Sequence, residues 1–341
     1  MKNFIKNHKK LSIVFLVIFL LLFSTYFLIK QPLFFNYKFS VSSIISKLSL
    51  VNEIKLKEHV KFLSENNRTS KEGQEKIVNY ILSELKKYGI NEDNIEIQKY
   101  IVDTREYNNI IVNFSYDFIP KELFRNKKYI IGAHYDSYGE LPWADDNASA
   151  IAGLLETARI LNETKPYRGR DIDLVFYSTE EPPFFRTENM GSFHHANSIK
   201  NKVDLVIILE MIGYFSEEEN SQDFPVSFLK YIYPTKGNFI AIVSNFSNSL
   251  ETRKVKSRFR TFLKKNNLIT TESINAPSII PGIDFSDHRN YWKFDIPALM
   301  ITDTSFYRNK NYHTKYDTYE KLDYKKMKEV IDATVATVLS L

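Results

Sequence analysis

The stretch Ile172–Glu181, IDLVFYSTEE, is a β-branched and aromatic run that ends in two adjacent carboxylates. Strands buried in a parallel sheet read as nearly continuous apolar runs, and acids at the end of one are costly unless a cation or a partner meets them. The same pattern recurs on either side. Lys128–Asp136 (KYIIGAHYD) runs into His134 and Asp136, Val203–Gly213 (VDLVIILEMIG) carries Glu210, and Ile296–Thr304 (IPALMITDT) leads to Tyr312 and His313. Between the first two runs, Trp143–Ala150 (WADDNASA) places Asp145 and Asp146 just before a helical pattern. Each residue alone has a plain alternative. His134 reads as a satisfied core histidine, Glu180-Glu181 as a solvated turn, and Asp145-Asp146 as the cap of a helix starting near Asn147. Five such stops in one chain point instead to a shared site.

Farther out, helical spacing covers residues 55–64, 70–88, 147–162, 191–200, 248–265, 287–294 and 324–340, with Gly89 as a stop for the second. Strand-like runs cover 94–102, 108–116 and 239–245. Strands alternating with helices predict an α/β fold around a mostly parallel sheet, with functional groups just beyond the carboxyl ends of the strands.

The chain has 341 residues and no cysteine, so disulfide frameworks and thiolate chemistry are excluded, and any metal must be held by His, Asp and Glu. The 46 basic side chains exceed the 41 acidic ones by the five lysines of residues 1–30. The remainder is neutral, which argues against a nucleic-acid partner. Leu11–Ile29 carries no charge and is long enough to span a bilayer. With Lys2, Lys6, Lys9 and Lys10 before it and no small-residue cleavage pattern after it, it reads as an uncleaved transmembrane signal anchor. The expected organisation is a cytoplasmic stub and anchor over 1–30, a connecting segment over 31–48, and one domain over 49–341 that is periplasmic or extracellular.

The blocks GAHYDS, WADDNASAIAG, STEE, GSFHHA, LEMIGY, SDHRNYW and DTSFYRNKNYHTKYDTYEKLD, in this order from about Val51 to the C-terminus, resemble the co-catalytic zinc exopeptidases. That superfamily holds bacterial leucyl-type aminopeptidases, glutamate carboxypeptidase II and glutaminyl cyclases. The resemblance implies a three-layer sandwich around a mixed, mostly parallel sheet, and two zinc ions. His134, Asp146 and Glu210 would hold one ion, and Asp146, Glu181 and His313 the other, with Asp146 bridging. Asp136 would orient His134. Glu180 would be the general base for a zinc-activated bridging water, and Tyr312 or His288 would steady the oxyanion. Arg308 is expected either against substrate or in a surface salt bridge. Glu210 departs from the Asp that many relatives carry, which bears on ligand geometry. Paired divalent ions about 3.5–4 Å apart suit hydrolysis at a carbonyl. The implied activity is aminopeptidase action on a peptide substrate. The alternatives are a carboxypeptidase, a glutaminyl-peptide cyclotransferase, which uses one zinc and has Trp where this chain has Tyr312, and a non-catalytic membrane-anchored binding ectodomain. Side-chain preference and oligomeric state are not set by the sequence.

Overall fold

In the computed structural model, which describes residues 2–32, 50–115, 126–140, 142–165, 169–264 and 266–341, eight strands form one sheet. They are β1 (Ile95–Val102), β2 (Arg105–Phe114), β3 (Lys127–His134), β4 (Arg170–Tyr177), β5 (Leu205–Glu210), β6 (Phe239–Ser244), β7 (Thr270–Asn275) and β8 (Ala298–Thr302). Their spatial order is β1-β2-β4-β3-β5-β8-β6-β7. β4, β3, β5 and β8 run parallel at the centre. β2 is antiparallel to both β4 and β1, β6 is antiparallel to β8, and β7 follows β6 in parallel. This is the expected mixed, mostly parallel sheet, and it brings the carboxyl ends of four strands to one edge.

The described helices are α1 (Lys2–Lys30), α2 (Glu53–Ser64), α3 (Lys71–Lys87), α4 (Ala150–Thr164), α5 (Gly191–Ser198), α6 (Ser249–Leu263), α7 (His288–Trp292) and α8 (Tyr324–Val338). Alternation along the strands sorts them into two layers. Leu205, Ile207 and Leu209 of β5 pack into the main core with α2, α3, α4, α6 and α8, while Val206 and Ile208 face Ala196 of α5 and Tyr291 of α7. Each fully buried aliphatic side chain of this kind contributes about 1.5–3 kcal/mol. Local signals agree. The Asn52 side chain accepts from the backbone of Ile54 and Lys55 to start α2, Ser70 accepts from Gly73 to start α3, and Gly89, at φ +74°, lets the chain turn out of α3.

Two expectations change. The helix expected from residue 147 begins at Ala150, and residues 144–149 form a separate wide turn entered through Trp143 at φ +47°. Asp145 and Asp146 therefore cap nothing; their own backbone N–H groups donate to Asp317. β7, TTESIN, gave no strand signal because it is polar, yet it pairs along its length with β6 at the sheet edge. The expected connecting segment lies, from residue 33 on, outside the described residues.

Leu11–Lys30 of α1, exposed except for half-buried Phe27, Ile29 and Lys30, is the one stretch among the described residues long and apolar enough to cross a membrane. Its end touches the rest of the chain. The Lys30 carbonyl accepts from Lys256 Nζ at 2.7 Å and Ser273 Oγ at 2.9 Å, and Lys30 Nζ donates to the Ile232 carbonyl and lies 3.7 Å from Glu272.

Under the main core, buried His59 bonds Tyr80 through Nδ1 and Tyr88 through Nε2, each at 2.7 Å. Burial, only partly opposed by Glu84 and Glu156, pulls its pKa down from 6.5 to about 4. The neutral ring thus stabilises the fold fully above pH 6.5, and that contribution is lost as pH falls toward 4. In urea unfolding of the full chain in detergent, His59→Gln is expected to lose about 2 kcal/mol less than wild type between pH 7 and pH 5. Equal losses would refute this role for His59.

Candidate metal centre

The carboxyl ends of β3, β4 and β5 deliver His134, the Glu180-Glu181 pair and Glu210, and the turn before α4 and the loop after β8 add Asp146 and His313. All except half-buried His313 are buried. Asp146 stands between the two imidazoles: Oδ1 lies 3.4 Å from His134 Nε2 and Oδ2 3.2 Å from His313 Nε2. Glu210 Oε2 is 3.4 Å from His134 Nε2, and Glu181 Oε1 is 3.8 Å from His313 Nε2. Two triads result, His134–Asp146–Glu210 and Asp146–Glu181–His313, each with its ligand atoms within 4.8 Å of one another. Glu180 Oε2 lies 4.0 Å from His134 Nε2.

The backbone is strained where it presents these groups. Thr179 (φ +58°) precedes Glu180, Met211 (φ +50°) follows Glu210, and His313 itself sits at φ +55°. Left-handed conformations at such residues cost of order 1–3 kcal/mol each and persist where the surroundings impose them. Asp136 supplies one constraint. Its Oδ1 and Oδ2 accept from the backbone N–H of Glu180 and Glu181 at 3.1 and 3.0 Å, while Oδ1 also lies 3.4 Å from His134 Nδ1. Asp145 turns away from the centre, accepting from Gly213 N–H and from Asn309 Nδ2, each at 3.0 Å.

Charge at the centre is unbalanced. Burial pushes the Glu180 and Glu181 carboxyls well up, and their acidic neighbours add to the rise against the opposing pull of His134. Asp146 is the exception: burial would raise it, but hydrogen bonds from His134 and His313 outweigh that and hold it well below the usual carboxylate range. Glu181 Oε1 is buried with no hydrogen-bond partner. Four buried carboxylates, two imidazoles and an orphaned oxygen, with no sulfur, fit divalent cations, and this donor set suits zinc.

Several supporting residues are not among the expected site residues. Buried Arg68 donates to the carbonyls of Trp143 (2.6 Å) and Asp146 (3.0 Å), Ser286 Oγ donates to Glu210 Oε2 at 2.7 Å, and Asp317 holds the backbone of the 144–149 turn. Asp287, fully buried near His134, is raised to about 7, chiefly by burial. Asp317 and Asp287 lie within motif blocks, whereas Arg68 comes from an unmarked loop.

The other expected site residues divide. Tyr312 stacks on His313, with ring centroids 3.8 Å apart, and lines the cavity at the centre. His288 does not: it is fully buried, its Nε2 bonds the Ile283 carbonyl at 2.8 Å, and it is absent from the cavity wall. Arg308 meets neither expectation, being buried with Nε on Gln222 at 3.0 Å and its guanidinium over Phe239. The cavity, about 320 Å³, runs from Glu180, Glu181 and His313 to Glu272 and Ser273 on β7 between mostly apolar walls that include Phe185, Phe224, Leu229, Phe239 and Met300.

A parallel-centred sheet with paired carboxylate–imidazole triads at its strand ends is the architecture of a metal-dependent hydrolase. Residues 113–338 match Peptidase family M28, and the chain belongs to that family. It is 48% identical over 214 residues to the uncharacterized protein YfbL of Escherichia coli, a match covering 60% of this chain and 64% of YfbL, under two thirds of that protein's length. Its fold resembles the Legionella pneumophila LapA aminopeptidase (18% identity, 91% of this chain and 77% of that one, TM-score 0.65). It also resembles Porphyromonas gingivalis glutaminyl cyclase (18% identity, 85% and 98%, TM-score 0.62).

The two neighbouring aspartates should separate in a zinc-loading experiment. Asp146→Asn is expected to lower the zinc retained per chain after reconstitution, read by elemental analysis, while Asp145→Asn keeps the wild-type stoichiometry and lowers thermal stability. Equal zinc loss in both variants would count against the division of roles between them.

Proposed function

We propose that the protein is a zinc-dependent exopeptidase, most specifically an aminopeptidase, whose catalytic domain spans residues 49–341 and is held at a membrane by α1 with the domain on the outer or periplasmic side. The observation that carries the reading is the double contact of Asp146 with His134 and His313 beside Glu180 at one end of an apolar cavity. His134, Asp146 and Glu210 would hold one ion and Asp146, Glu181 and His313 the second. Bound there, the ions would supply Lewis acidity toward the scissile carbonyl and lower the pKa of water.

The chain's own groups account for the remaining steps. Glu180 is buried, belongs to neither triad and lies 4.0 Å from His134 Nε2, a position that suits a base that takes a proton from the attacking water and passes it to the leaving amine. Burial, reinforced by Asp146 and Glu181, holds the Tyr312 hydroxyl protonated, so it can donate to the carbonyl oxygen as negative charge develops there. His288, bonded to a backbone carbonyl outside the cavity, leaves that role to Tyr312. The apolar cavity, larger than the ~150 Å³ that holds a benzene molecule, suits a large apolar or aromatic terminal side chain. The cyclase alternative employs one ion, whereas this chain keeps donors for two.

The full chain in detergent, given a peptide mixture and read by mass spectrometry, is expected to remove single N-terminal residues, large apolar ones first, and to stop when a chelator is added. Glu180→Gln should lower kcat by about 10²–10⁴ with zinc content retained, and Tyr312→Phe by about 10²–10³. C-terminal trimming would reassign the protein as a carboxypeptidase, and pyroglutamate formation as a cyclase.

Narrowing the cavity tests its role. Ala241 lines it from β6, and Ala241→Leu is expected to lower kcat/KM for N-terminal Phe by about tenfold or more while sparing N-terminal Ala. An equal effect on both substrates would remove the cavity from specificity.

A further inference from the structure

We propose that residues 226–231 form a second membrane contact, a lipid-docking loop that lays the domain on the bilayer beside the exit of α1. This rests on the reading of α1 as a membrane span. The loop is the short turn Ser227–Tyr231 with Val226 before it. Phe228 is 63% exposed, Tyr231 75% and Val226 44%, the two rings lie 6.3 Å apart, and Lys230 Nζ sits 5.2 Å from the Tyr231 ring centroid. Large apolar side chains exposed together on a folded domain mark a contact surface.

The position of α1 identifies the occupant as lipid. Lys30 is the first charged residue after the uncharged run Leu11–Ile29, so it marks the point where a span would leave the hydrocarbon. Its Nζ donates to the carbonyl of Ile232, the residue next to Tyr231, and lies 4.8 Å from the Tyr233 ring centroid. A span that ends against Ile232 therefore places Phe228 and Tyr231 at the depth where aromatic and lysine side chains collect at membrane surfaces. Leu229 and Tyr233, from the same segment, line the apolar cavity, so docking would hold that wall of the cavity against the bilayer surface.

The absence of cysteine makes the test clean. Full-length single-cysteine variants Phe228→Cys, Tyr231→Cys, Leu20→Cys and Ile101→Cys carry an environment-sensitive fluorophore and are placed in nanodiscs with doxyl-labelled lipid. Ile101 is 68% exposed on β1, at the opposite edge of the sheet from β7, and serves as the control. Quenching and a blue shift at 228 and 231, alongside quenching at 20 and none at 101, is the expected result. Quenching at 20 alone would overturn the docking loop and leave the span intact. No quenching at 20 would overturn the span and the loop with it. Equal quenching at 101 and 228 would overturn the assignment of a specific docking face.

Discussion

Asp146 offers one oxygen to each of two imidazoles, and the rest of the centre is arranged around that double contact. Its position is fixed from behind by polar partners. Arg68 holds its carbonyl, Asp317 accepts from its N–H at 3.4 Å, and Asn147 Nδ2 bonds the Leu209 carbonyl and approaches Glu210. A carboxylate anchored through its own backbone leaves both side-chain oxygens available to face the two histidines. The neighbouring Asp145 cannot take this part, because both of its oxygens are engaged with Gly213 and Asn309.

The sheet and the site are therefore one construction. Four parallel strands end together, and each passes into a polar or acidic group instead of another apolar residue. In an ordinary core this would be destabilising, since like charges crowd where water is scarce. Here the clamp by Asp136 on the Glu180 and Glu181 amides holds the pair in place against the strain of the left-handed backbone at Thr179. Gly132 contributes from within β3, because a Cβ there would fall 2.3 Å from the Tyr177 ring. The close approach of Tyr177 completes a buried chain to Tyr291 and His195 that fills the layer behind the sheet.

Much of this was legible in the sequence because it depends on period and position. Apolar runs ending in acidic or histidine-bearing stops marked all four central strands and the pair Glu180-Glu181, and family resemblance pointed to Asp146 over Asp145. The features that were not legible depend on tertiary contacts. β7 alternates too weakly to show as a strand and is defined by its pairing with β6. The start of α4 is displaced because Asp146 and Asn147 take non-helical backbone angles, the first with its N–H on distant Asp317 and the second with its side chain bonded to the Leu209 carbonyl and the Met211 N–H. His288 and Arg308 look like site residues in a linear motif, but one is turned toward Ile283 and the other is stacked within the core beside Phe239.

The candidate ligands come from segments between His134 and His313, about half the chain apart. No short fragment contains a complete triad, so ion capture is coupled to the closure of long loops and to the slow, non-local pairing typical of parallel sheets. A chain that crossed a membrane unfolded would have no assembled site in which to carry zinc with it. Its metal would then be drawn from the compartment in which it folds, and the ion supply on that side would set how much of the protein becomes active.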